Sequence, residues 1–145
     1  MTVNEVRAAL EGHLATAVST VPVAWPGVAF TPPEGATWIR PAFRPGQSFE
    51  AEIGREGLSR RTGVFIVQVF APKGLGSGAA LALSGQIEAA FRRQDVGGVE
   101  CGEPYSNDIG EDAGALVSQG GGGSIGLSTS YQVNVAVPWW AWIGE

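Results

Sequence analysis

The sequence predicts an α+β domain: a mostly antiparallel sheet of four to five strands with two helices packed on one face. Three observations carry this. GVFIVQVFAP at 63–72 is apolar at nearly every position, as a central strand covered on both faces requires. Residues 124–137 alternate with a period of two, and 2–19 and 78–93 repeat apolar residues every three to four positions. The order helix, strands, helix, strands is that of an α+β layering.

The first helix opens on Thr2 and Glu5, a capping-box pair, and Val3, Val6, Leu10, Leu14, Ala17 and Val18 form its apolar face. Pro22 and VPVAWPG stop it. A Pro-rich connector at 26–35 leads to ATWIRPAFR at 36–44, an edge or bulged strand because Pro41 has no N–H to donate. Pro45-Gly46 marks a turn into FEAEI at 49–53, with Phe49, Ala51 and Ile53 facing inward and Glu50 and Glu52 outward. After the central strand and a glycine loop, Ala80, Leu83, Ile87 and Phe91 stack on one face of the second helix. Arg92 and Arg93 lie in its last turn and Gly97-Gly98 is its stop. One short strand is expected at 99–101. A long flexible loop at about 102–124 follows, with Gly120–Gly123 costly to order. In the last strand Ile125, Leu127, Tyr131, Val133, Val135 and Val137 share one face, opposite Ser128, Ser130, Gln132 and Asn134.

A chain of 145 residues forms one domain, 1–145, with room for a single core. The net charge of −5 argues against a nucleic-acid or anionic-membrane binder, which needs a basic patch. Cys101 is the lone cysteine, so neither an internal disulfide nor a thiolate cluster can form. The N-terminus is polar and periodic, unlike a signal peptide, and the apolar run 135–143 contains Pro138 and is too short to span a bilayer. No membrane association is expected.

No catalytic set assembles from these residues. His13 is the sole histidine and sits on a helix flank beside Leu10 and Leu14. One His and one Cys do not make a zinc site, and NDIGEDAG at 107–114 departs from the calcium-loop pattern. Glu50 and Glu52, two residues apart, belong on a solvated strand face. Gly74, Gly76 and Ala79 fit the spacing of a dinucleotide-binding turn, but that turn needs a following parallel strand, and VGGVECGEP is a poor one. Lys73 precedes the glycines, so the P-loop pattern fails as well. No enzyme, cofactor or metal is expected; a small-ligand or nucleotide-binding domain using Gly74–Ala79 stays as the alternative. Arg55, Arg60 and Arg61 bracket a turn, as solvated charges or as a partner patch. Trp139, Trp140 and Trp142 cap the core or anchor an interface, where tryptophan is enriched.

Two segments resemble the tail-terminator (tail-completion) proteins of long-tailed bacteriophages, prophages and gene transfer agents. The first is PVAWPGVAFTPPEGATWIRPAFRP, with Ala24, Trp25, Pro26, Phe30 and Pro32 and an aromatic strand from Trp38 to Phe43. The second is RRTGVFIVQVFAPKGLGSGAALALSGQIEAAF, with Arg60, Gly63, Pro72, Gly74, Gly76 and Phe91. The likeness covers roughly 3–95; the crowded REGLSRRTG turn and the glycine tract depart from it. It implies a structural subunit in the virion, made in the host cytoplasm, that forms a homohexameric ring on the head-proximal end of the tail tube. Such a ring stops tube polymerisation and joins tail to head. Its partners are itself, the tail tube protein and a head-completion or neck protein, with DNA passing through the lumen without specific binding. Another head–tail connector component of similar layout is the remaining alternative.

Overall fold

The computed structural model of the protein describes residues 1–33, 35–50, 58–72, 78–110 and 130–144. The elements are α1 (Val3–Ala17), β1 (Trp38–Glu50), β2 (Ser59–Pro72), α2 (Gly78–Phe91), β3 (Asp95–Val96), β4 (Val99–Cys101), β5 (Tyr105–Gly110) and β6 (Ser130–Ile143). The strands make one sheet in the order β1-β2-β6-β4-β3, with β5 also on β6, and all the strand ladders are antiparallel. Six strands form where four to five were expected.

Thr2 caps α1, its hydroxyl accepting from the Glu5 N–H at 3.2 Å. The helix ends before the proline: the Val18 N–H still reaches the Leu14 carbonyl, and Val6, Leu10 and Leu14 are buried. The second helix ends at Phe91, not at 93, because Arg93 takes a left-handed φ of 52°. Gly97 and Gly98 are not its stop. With φ of 60° and 95° they form the two-residue turn of the β3–β4 hairpin, a conformation open to glycine, and the Asp95 carboxylate accepts from the Gly98 N–H.

Pro45-Gly46 is likewise no turn. β1 runs straight through it as a single strand with a bulge between Pro45 and Ser48, two residues standing opposite Thr62. The extra residue reverses the side on which every later side chain emerges. Phe49, opposite Arg60, is therefore 52% exposed instead of inward. Glu50 is exposed; Ala51, Glu52 and Ile53 lie outside the described residues.

Prolines close the free edge of β1. Ile39 donates to the Pro22 carbonyl and accepts from the Ala24 N–H, so its main-chain groups point away from β2. Alternation points Pro41, Phe43 and Pro45 the same way, and the two prolines offer no N–H to an incoming strand. Pro138, inside β6, is accommodated by a gap. Its carbonyl accepts from the Gly102 N–H at 2.8 Å, so its nitrogen faces the side where β4 has ended and β5 has not begun.

Odd-numbered residues of β2 and β6 build the core. Phe65, Val67, Val69 and Ala71 of β2 and Val133, Val135, Val137, Trp139 and Ala141 of β6 are buried, together with Ile39, Val99 and Cys101. The apolar stripes of both helices complete the same cluster, Ala80, Leu83, Ile87 and Phe91 among them. Phe91 packs 4.8 Å from the His13 ring and 5.8 Å from Phe65, joining α1, α2 and the sheet at one point. Strand β5 occupies part of the stretch expected as a loop from 102; Gly120–Gly123, Ile125 and Leu127 lie outside the described residues. On the inner side of β5, the Ser106 hydroxyl donates to the Glu88 carboxylate of α2.

Candidate functional site

The even-numbered face of the sheet is the candidate interaction surface. Along β2, Val64, Ile66, Gln68 and Phe70 are only half-buried, so the second face of the central strand lacks the full cover its apolar sequence led one to expect. Side chains spread over it instead. Trp38 stacks on Phe70 at 4.3 Å, Arg40 lies over the same ring at 5.3 Å, and its Nε donates to Gln68 at 2.6 Å. At the other end, the Arg60 guanidinium lies 4.5 Å over Trp140, whose ring meets Trp142 edge-on at 5.4 Å.

Strand parity thus divides the six candidate residues. Arg60, Trp140 and Trp142 come together on this open face, with Trp142 45% exposed. Trp139, 2% exposed, points the other way and stacks on Phe43 at 5.4 Å, taking the core role of the two expected. Arg61 also lies on the inner parity, its guanidinium donating to the Ser48 hydroxyl at 3.4 Å. Arg55 lies outside the described residues. Sequence reasoning missed Phe49 and Arg40 as members of this surface. Phe49 required knowledge of the bulge; Arg40 was readable, alternating with Trp38 and Ala42.

His13 is a strut. Its Nε2 sits 2.8 Å from the Ala90 carbonyl, so the ring ties α1 to the end of α2. Burial, then the negative charges of Glu100 and Asp95, push the Cys101 thiol up to about 12. At pH 8 only about one thiol in ten thousand would be ionised, so Cys101 is unsuited to nucleophilic chemistry. Iodoacetamide at pH 8 should leave Cys101 unmodified in the folded protein and alkylate it fully in urea, read by intact mass; ready labelling of the folded protein would refute the burial. Beside Arg92, which donates to it at 2.7 Å, the exposed Glu103 carboxyl is held below its ordinary range.

Among the described residues no group of His, Cys, Asp or Glu is placed to share a metal ion. Residues 73–77 of the glycine loop lie outside the described residues, but their flanks are informative. β2 is bordered by β1 and β6, both antiparallel, and after α2 the chain enters β3 at the far edge of the sheet. The parallel strand beside the first, which a dinucleotide turn requires, is not there among the described residues. No described helix is long and apolar enough to cross a membrane.

The described residues thus form an α+β fold with one sheet face covered by the helices and one open aromatic face. Residues 5–98 match the model of the phage tail terminator protein family, and the chain belongs to that family. It is a phage tail structural component, and the family is structural, not enzymatic. No curated protein matches the chain. A solved structure bearing no functional name is similar throughout, with a TM-score of 0.66 at 21% identity over 100% of this chain and 98% of that one. That likeness shows the fold.

Proposed function

We propose that the chain is the tail terminator of its particle. Copies close a homohexameric ring on the head-proximal end of the finished tail tube, halt addition of tube protein, and present the surface to which the head-completion or neck protein docks. It assembles in the host cytoplasm and stays in the virion tail. Family membership over residues 5–98 carries this reading. The open sheet face supports it: half-buried Val64, Ile66 and Phe70 gain from cover that a neighbouring protein supplies. A net charge of −5 suits a lumen through which DNA slides, because tight duplex binding relies on cations that neutralise phosphates.

Added to polymerising tail tubes, the purified protein is expected to fix their length and cap one end in electron micrographs. Tubes that lengthen unchecked in its presence would sink the proposal. Arg60, Trp140 and Trp142 are the contact residues we assign, with Arg55 five residues before Arg60 in sequence. Trp142→Ala is expected to retain the parent circular dichroism spectrum while needing roughly 30-fold more protein to cap tubes, as loss of an interface tryptophan worth about 2 kcal/mol implies. Unchanged capping by that variant would remove Trp142 from the interface.

A further inference from the structure

Charge is segregated across the open face. The β1 side carries Arg40 and Arg44, both exposed, and among the described residues no carboxylate lies within ion-pair distance of either. The opposite edge, the β3–β4 hairpin, carries Asp95 and Glu100 directly across from each other on the same face. Nearby Arg92 and Arg93 are already engaged by Glu88 and Glu103. Three strand spacings separate β1 from Glu100 on β4 and four separate it from Asp95 on β3, about 14 and 19 Å, so one chain cannot pair them internally. A groove of about 770 Å³ runs along β1, lined by Trp25, Phe30, Trp38 and Phe43 together with Arg40 and Arg44.

We infer that copies of this chain join head to tail, the β3–β4 hairpin of one lying on the β1 groove of the next, with Asp95 and Glu100 facing Arg40 and Arg44. The inference rests on the ring reading and specifies its joint. Because one edge meets a different edge, the contact is heterologous and generates a ring where the rotation closes. The joint is made by side chains: prolines deny β1 a new strand, and β3 is only two residues long. Complementary charge fixes which edges meet. A duplex is the weaker occupant, since two arginines on a chain of net charge −5 make a small basic patch.

The test compares four proteins by light scattering, free and bound to tubes: wild type, R40E/R44E, D95K/E100K, and the chain carrying all four reversals. Each double variant is expected to run as the 15.0 kDa monomer, and the fourfold variant to regain the wild-type mass. Misfolding cannot produce that rescue. Since D95K also removes the hairpin's Asp95 cap, a second measurement uses Arg44→Cys/Asp95→Cys, oxidised. Linked multimers on a non-reducing gel support the joint, because the two positions are too far apart to pair within one chain. R40E/R44E assembling like wild type, with no linked multimers, overturns the inference and leaves the ring intact. Loss of salt-sensitive duplex binding in R40E/R44E with assembly unchanged assigns the arginines to DNA and also overturns it. A wild type that neither assembles nor caps tubes fails the ring reading itself.

Discussion

Gly63→Val is expected to yield little folded protein, and Gly63→Ala to lose most of its stability. Gly63 pairs with Trp139 across the β2–β6 ladder, and the indole lies over its Cα. A Cβ placed there would stand 2.5 Å from the indole Cζ2 and 2.6 Å from the Arg44 carbonyl oxygen. The two obstacles lie in different strands, so yielding to one does not relieve the other. The carbonyl belongs to a paired strand; the indole is wedged in the core against Phe43. Overpacking usually costs about 1–3 kcal/mol where side chains can shift. Here a backbone atom must move as well, so at least about 3 kcal/mol is expected, a large part of the 5–15 kcal/mol typical of a domain. Soluble yield and the urea midpoint read the effect. A Gly63→Ala protein melting within about 2 °C of the parent, a shift of well under 1 kcal/mol, would rule out the close approach.

Phe91→Ala is the second large effect, expected to cost about 3–5 kcal/mol as full truncation of a buried aromatic does. Phe91 is wholly buried and is the common neighbour of His13 and Phe65. Removing it leaves a cavity where α1, α2 and β2 meet, and deprives the His13 ring of the edge contact beside its bond to Ala90. Phe65→Ala should be of similar size, and the double variant should fall short of the sum by about 0.5–1.5 kcal/mol, the worth of an aromatic pair. Full additivity in denaturant titrations would mean the two rings do not interact.

Much of this fold was legible because local signals and burial agreed. Thr2 caps, Val6, Leu10 and Leu14 face in, and β2 lies inside the sheet between β1 and β6, as its nearly continuous apolar run demanded. The misreadings share a physical cause: a short backbone irregularity whose sequence signature is ambiguous. Pro-Gly at 45–46 looks like a turn wherever it stands, and only pairing with β2 turns it into a bulge and brings Phe49 outward. Gly97-Gly98 suits a helix stop and a hairpin equally. β5 has Asn107 and Asp108 at its middle and draws its order from β6 beside it, which no window on 105–110 contains. At the candidate surface, alternation alone separates Trp139 from Trp140 and Trp142, whereas the division of charge between the two sheet edges depends on strand order.

The prolines at 41 and 45 also bear on how such an assembly comes apart. A subunit held through main-chain ladders would have to unzip a run of hydrogen bonds together before leaving. With the β1 edge sealed, a copy in the proposed ring would keep that edge out of any shared ladder, and separation there would break only side-chain contacts. If the proposed ring forms, a mistaken closure at this edge would be able to reopen and be corrected.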